Sequence, residues 1–296
     1  MPRLTIGLIT YNGAEHIRPS IESLLGQTFT DFELLIFDNA STDGTTEICE
    51  EYAAKDARVR HVRHSETIPQ SANFRGVLFA AETELFVWAT DDDVRTPDSI
   101  EQCVAALDTG TEAVAACTQV VFRAADGTES PARGTFPIIG KPSERLRRYF
   151  ENPRDSSRLF GVYRTEGLKR AYPADVTAFG YDWLVVGLSM LEGDHLEVPI
   201  VGLVRAANAP GKYFERYDRH FTRRGGLLGR VSYVFPLLPL TQELRHYLTP
   251  RDWKAVRGRI ARLNLHQTAL LLRWKFRAFD IGFSALRWAD RAVPRS

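Results

Sequence analysis

Cysteine is scarce in this chain: Cys49, Cys103 and Cys117 are odd in number, scattered and set among apolar residues. Such a set excludes a disulfide scaffold and lacks metal-ligand spacing, so the three read as reduced core residues of a cytoplasmic protein. Long apolar runs are missing as well. No segment approaches the roughly 18–20 apolar residues that cross a bilayer. The opening strand is too short for a secretory signal and runs at once into Thr10-Tyr11-Asn12-Gly13. Internal repeats and low-complexity tracts are absent. No recognition motif accompanies the basic residues, which argues against a nucleic-acid partner. Residues 10–15 also lack the Gly-rich, basic phosphate loop that a nucleotidyltransferase would want.

What is present is ordinary in bulk and uneven in detail. The 296 residues are 44% apolar and 25% charged, enough for one large α/β domain with an appendage or two modest domains. A formal charge of +1 conceals two electrical halves: residues 1–218 sum to −11 and residues 219–296 to +12. That shift marks the expected boundary between a first unit, 1–218, and a basic C-terminal region, 219–296.

Strand and helix signals alternate over the first hundred residues. Leu4-Thr5-Ile6-Gly7-Leu8-Ile9-Thr10 is β-rich and stops at Asn12-Gly13, a turn pair. Ile17, Ile21, Leu24 and Leu25 recur at helical spacing. Residues 32–37 form a second apolar strand, which ends at Asp38-Asn39-Ala40-Ser41-Thr42-Asp43-Gly44 and opens onto a helix over 45–54. After a third strand near 58–63 and a helix marked by Phe74, Val77, Leu78 and Ala81, a fourth strand, 85–89, runs into Trp88-Ala89-Thr90-Asp91-Asp92-Asp93. Residues 130–160, rich in Pro, Gly and Arg, read as an acceptor-side insert. Alternation of this kind implies right-handed crossovers and a mostly parallel sheet, whose ligands bind beyond the carboxyl ends of the strands. Thr10, Asp38 and Asp91 to Asp93 all fall at such ends. Three adjacent carboxylates cannot be buried unpaired, so they need open water or a hard cation such as Mg²⁺ or Mn²⁺.

These residues resemble family 2 glycosyltransferases of the GT-A fold. The likeness is carried by Ile6-Gly7-Leu8-Ile9-Thr10-Tyr11-Asn12-Gly13, by Ile21-Glu22-Ser23-Leu24-Leu25-Gly26-Gln27-Thr28, and by Asp38-Asn39-Ala40-Ser41-Thr42-Asp43-Gly44-Thr45. It covers residues 4–208 and implies a Rossmann-like, mostly parallel sheet flanked by helices, with a donor half near 1–97 and an acceptor half near 98–218. By the resemblance, Thr10, Tyr11 and Glu15 lie near the nucleoside of a UDP-, GDP- or dTDP-linked sugar donor. Asp38 would bond the base or ribose, or else hold the loop that leads into the next helix. Arg75 would neutralise the diphosphate or form a surface ion pair. The metal motif departs from the usual form, because anchoring on Pro97 puts Thr90 where the first Asp is expected. That register makes Asp92-Asp93 the final pair, whereas a direct Asp-x-Asp reading selects Asp91 and Asp93; both stay open, with Asp92 ranked first as ligand to a divalent cation, Mn²⁺ or Mg²⁺, and Asp93 and Asp91 behind it. In Phe179-Gly180-Tyr181-Asp182-Trp183-Leu184, Tyr181 replaces the usual Glu and Asp182 keeps the position of the catalytic base; an N-cap aspartate is the structural alternative. Asn208 stands where relatives often carry a His, and the Gln-x-x-Arg-Trp signature of processive enzymes is absent. The implied reaction is inverting transfer of one sugar to an acceptor hydroxyl, and the basic tail alone points to a cell-envelope or lipid-linked glycan as the acceptor. A sugar-nucleotide binding protein without turnover and a nucleotidyltransferase are the rival readings.

Residues 219–296 mix arginine with aromatic and apolar residues, among them Leu263, Leu265, Leu272, Trp274, Phe276 and Trp288. The pattern suits helices lying on an anionic inner-leaflet surface. A helical extension packed on the acidic half, or a homodimer built through this region, is the other arrangement.

Overall fold

The computed structural model describes residues 1–109, 112–151, 153–174, 180–207 and 237–277, with side chains as far as 272. The stretch at 175–179 before Gly180, Asn208, the apolar stretch at 227–235 and the aromatic run at 279–288 lie outside the described residues. The chain begins with β1 (Leu4–Thr10), α1 (Ile17–Leu25), β2 (Phe32–Asp38), α2 (Thr45–Lys55), β3 (Val59–Arg63), α3 (Gln70–Ala80), β4 (Leu85–Thr90) and the two-residue β5 (Val94–Arg95). There follow α4 (Ser99–Thr109), β6 (Ala113–Arg123), β7 (Glu129–Pro131), α5 (Pro142–Glu151), a 3-10 turn (Ser156–Phe160), β8 (Val162–Arg164), α6 (Thr165–Ala171), α7 (Tyr181–Glu192) and β9 (Asp194–Ala206). Two helices close the described part, α8 (Leu238–Tyr247) and α9 (Pro250–Arg277).

The nine strands of the described residues join one sheet in the order β3-β2-β1-β4-β8-β6-β9-β5, with β7 pairing β6. The β3-β2-β1-β4 part is parallel, and β8 enters antiparallel between β4 and β6. The period of two along each strand divides its side chains between two cores. Leu4, Ile6, Leu8, Leu34, Ile36, Leu85 and Val87 face α1, α2 and α4, whereas Ile9, Leu35, Phe37, Phe86 and Trp88 face α3, α6 and α7. That explains why every residue of β1 is buried: both faces of the sheet are covered. Gly7 sits where Phe86 crosses β1, and a Cβ there would fall 2.6 Å from the Phe86 ring.

Within the stretch 130–160, α5 brings Leu146, Tyr149 and Phe150 into the main core. Its charge is accommodated by geometry: buried Arg145 donates to the Met190 carbonyl at 2.7 Å and to Asp194 at 3.0 Å. The C-terminal helices also share this core, through Leu240, Leu244, Leu248, Val256 and Ile260.

Candidate active site

Strand register assembles the rim. Thr10 pairs with Asp38 across β1 and β2, and Ile9 pairs with Thr90 across β1 and β4, so three strand ends stop side by side. The first two loops then interlock. The Asn12 N–H donates to Ser41 Oγ at 2.9 Å, Gly13 N–H to Thr45 Oγ1 at 2.9 Å, and Ala14 N–H to Asp43 Oδ2 at 3.1 Å. In return Thr42 N–H donates to Asn12 Oδ1 at 2.9 Å. Asn12 takes φ of 51°, a left-handed conformation that asparagine tolerates better than most residues. A third loop is fastened by Asn39, whose amide donates to the Ile68 carbonyl while its Oδ1 accepts from the Ile68 N–H, both at 2.9 Å.

Asp38 is wholly buried and holds its own loop: one oxygen accepts from Ser41 N–H at 2.9 Å and the other from the Thr46 hydroxyl at 2.6 Å. Of the two roles the sequence offers it, this geometry is the loop-holding one. Tyr11 stands 52% exposed at the tip of the first loop and Glu15 is open to solvent beside it. Thr10 is buried, and its hydroxyl donates to Asp91 rather than to open space.

The three carboxylates of the acidic turn fan apart, which relieves their repulsion. Asp91 leans toward β1, accepting from Thr10 Oγ1 at 2.5 Å, and burial raises its proton affinity. Only a glycine permits this, since a Cβ on Gly13 would lie 2.3 Å from Asp91 Oδ2. Asp92 is exposed. Asp93, expected beside Asp92 as a metal ligand, is instead committed to a buried ion pair: Arg205 Nε donates to its Oδ2 at 2.9 Å, joined there by the Thr90 hydroxyl at 2.8 Å. The reason lies in register. Val94 pairs antiparallel with Val204, which puts Asp93 directly across from Arg205. Among the described residues no three carboxylate, imidazole or thiol groups gather around one point. Asp91 and Asp92 still offer hard oxygen donors at a strand end, and Mg²⁺ or Mn²⁺ is commonly held by one or two carboxylates together with substrate phosphates. The donor set fits such an ion.

The opposite side of the rim is built by α7 and the 3-10 turn. Gly180, at φ 78°, is the N-cap of α7, so Asp182 falls in the first turn and is not the cap. Its Oδ2 accepts from the Ser156 hydroxyl and its Oδ1 from the Trp183 N–H at 2.9 Å. Burial pushes the Asp182 carboxyl above its ordinary range, opposed by the Ser156 bond and by the charge of Arg205. Tyr181, standing where the resemblance expects Glu, turns toward the core and meets Phe74 edge-on with ring centroids 5.8 Å apart. Arg75 lies over the Phe79 ring at 3.8 Å, with its Nε buried and unpartnered. Arg205 stacks on Phe160 at 4.2 Å, and Phe160 ends the turn that carries Ser156. Beneath it, buried Arg95 donates to the carbonyls of Trp88 and Phe160 at 3.2 and 2.7 Å, and burial pushes it down to about 10.

Sequence reasoning missed Arg205 and Ser156. A lone arginine in the apolar run Leu203-Val204-Arg205 was the one available signal, and its partner lies 112 positions away.

Comparison with known proteins agrees with this architecture. The model of "Glycosyl transferase family 2" matches residues 5–170. The putative glycosyltransferase EpsE of Bacillus subtilis is 31% identical over 108 residues, which is 36% of this chain and 39% of that protein. Chondroitin synthase of Escherichia coli is 33% identical over 105 residues, 35% of this chain and 15% of that protein. The matched stretch thus spans well under half the length of these relatives. Among solved structures, S. aureus TarS 1-349 in complex with UDP-GlcNAc superposes with a TM-score of 0.57 at 15% identity, covering 91% of this chain and 83% of that one. The mannosyltransferase PcManGT from Pyrobaculum calidifontis, in complex with GDP-Man and Mn²⁺, gives 0.52 at 19% identity over 94% and 83%. These likenesses establish a shared GT-A type fold, and the family match over more than half of the chain establishes kinship: this protein belongs to glycosyl transferase family 2.

Proposed function

We propose that this protein transfers a single sugar, with inversion, from a nucleotide-sugar donor to an acceptor hydroxyl. The acceptor is a cell-envelope or lipid-linked glycan met at the cytoplasmic face of a membrane. The observation that carries the reading is Asp182, a carboxylate of raised proton affinity held by Ser156 within the electrostatic reach of Arg205. A base works best when its pKa approaches the working pH, and burial moves Asp182 in that direction. Asp182 takes the proton of the acceptor hydroxyl as that oxygen attacks the anomeric carbon. The bond from that carbon to the diphosphate oxygen breaks, and the nucleoside diphosphate leaves with the electron pair. Tyr11 offers a ring for the base, and Arg75 and Arg205 hold positive charge toward the departing phosphates. Asp92 and Asp91 would hold a divalent cation, Mn²⁺ or Mg²⁺, whose chemistry is to offset the charge growing on the leaving group. The nucleotide sugars and Mn²⁺ bound by fold neighbours are in keeping with this. Membership of the family removes the nucleotidyltransferase alternative.

The test is a panel of UDP-, GDP- and dTDP-sugars assayed for transfer and hydrolysis with and without Mn²⁺, using the wild type and Asp182→Asn. Loss of a general base costs about 10²–10⁴-fold in turnover. Near-normal turnover of the variant would remove Asp182 from the role, and donor binding with no turnover by any donor would favour the non-catalytic reading. The same substitution has a stability signature. A carboxyl whose pKa is raised by folding binds its proton more tightly in the native state, so its ionisation opposes folding as pH rises from the ordinary carboxylate range through the raised value. The Asn variant is therefore expected to melt higher than wild type at neutral pH, and the acid limb of the activity profile to lie above the ordinary carboxylate range.

A further inference from the structure

Exposed cations of the catalytic half are matched by carboxylates in part, with Arg133, Lys141, Arg147 and Arg148 forming no ion pair among the described residues. Arg18, Lys55, Arg60, Arg123 and Arg170 are all exposed and all ion-paired, at 2.5–3.4 Å. The arm formed by α8 and α9 differs. Between residues 242 and 272 the exposed Arg and Lys side chains are Arg245, Arg251, Lys254, Arg257 and Arg262, and none forms an ion pair among the described residues. The acidic residues of the arm are only Glu243 and Asp252, neither fully exposed, and Asp252 is occupied in accepting from the Thr249 hydroxyl at 2.6 Å. Along α9 the exposed positions 251, 254, 257, 258, 261, 262, 265 and 272 recur at helical spacing, so they share one broad face about 30 Å long. That face also carries Leu265, 61% exposed, and Leu272, 41% exposed, while Tyr247 of α8 is 42% exposed. The opposite face of α9 is fixed by Val256, Ile260 and Leu271 against the core. The neighbouring helix α5 presents exposed residues of both signs, Arg147 and Arg148 with Glu144 and Glu151, so the purely cationic surface is bounded by α8 and α9.

We infer that this face docks onto an anionic lipid bilayer, with the arginines at the headgroups and Leu265, Leu272 and Tyr247 entering the interface. Cations unmatched by carboxylates among the described residues leave this face net positive and suited to an anionic partner, and single apolar residues spaced among them favour a lipid boundary over a purely ionic protein contact. No helix among the described residues is long and apolar enough to cross a membrane, so the contact is along the surface. The inference builds on the membrane-side acceptor read above, and its test uses binding alone, so it can fail while glycosyl transfer stands.

The full chain is centrifuged with phosphatidylcholine vesicles and with the same vesicles containing phosphatidylglycerol, at low and high salt. Wild type is expected to bind only the anionic vesicles and to be released by salt. Each cation near an anionic surface contributes about fivefold to partitioning, so Arg251→Glu, Lys254→Glu, Arg257→Glu and Arg262→Glu combined should weaken binding by at least about 100-fold. These side chains are exposed and form no ion pair among the described residues, so an unchanged melting temperature is the check on folding. A neutral set, the same four residues to Gln, should fall between the two. Equal binding to both vesicle types, no binding to either, or unchanged binding of the reversed variant overturns the inference. Sedimentation equilibrium gives one more decisive outcome: a dimer that the reversed variant dissolves, without vesicle binding, would show a second copy to be the occupant instead.

Discussion

Asp93 and Arg205 show how far one side chain's role depends on what lies opposite it. Asp93 is 5% exposed and its partner 19%, so neither charge is easily re-solvated when the other is removed. Breaking such a pair costs about 3–5 kcal/mol, while replacing both partners is often close to neutral. Arg205→Gln should therefore lower unfolding free energy by about 3 kcal/mol, and Arg205→Gln with Asp93→Asn should recover most of it. Chemical denaturation of the four proteins of that cycle checks this; additive losses would mean the pair is not coupled. The acidic run was legible in the sequence, and the direction of each carboxylate was not. Spacing along one strand carries no information about β9, so Asp93 read as a ligand and the arginine that claims it went unnoticed. Tyr181 was equally opaque: its departure from the family pattern was plain, but its place against Phe74 follows from a packing that joins residues more than a hundred positions apart.

Among the elements, the strands and helices of the first hundred residues were the most legible, because uninterrupted apolar runs and capping clusters are local signals. The turn at Asn12-Gly13 was legible too, though not the reason for its glycine. Gly13→Ala would drive a Cβ to 2.3 Å from Asp91 Oδ2, forcing either the first loop or the acidic turn to move. The expected outcome is a destabilised protein, by about 1–3 kcal/mol, with weakened donor and cation binding together. Thermal melting with titrated Mn²⁺ and nucleotide measures both. A variant with wild-type melting and wild-type binding would show that the loop has slack. Helix α5 was the least legible element. Its ten residues include Glu144, Arg145, Arg147, Arg148 and Glu151, and that charge hides an apolar face that only the buried bonds of Arg145 make tolerable.

The charge division of the whole molecule does not coincide with a division of its core. Residues 219–296 were set apart by an excess of arginine, yet Leu244 of α8 is fully buried in the same cluster as Trp88 and Phe150. Truncating a buried leucine costs about 2–5 kcal/mol. Leu244→Ala should thus lower the stability of the catalytic half along with that of the arm, in one cooperative transition. Calorimetry that resolved a separate, shifted transition for the arm would contradict this. Electrostatic composition reports what a surface faces, and the packing of α8 and α9 reports what they lean on; a sequence displays the first far more openly than the second.

The reciprocal bonds between the first two loops have a thermodynamic corollary. Asn12, Gly13, Ser41, Asp43 and Thr45 are already fastened to one another in the free chain, so the floor on which a nucleoside would settle exists before any nucleoside arrives. Little conformational freedom then remains to be surrendered on ligation, and association at that floor should proceed at the pace of encounter rather than wait on a rearrangement.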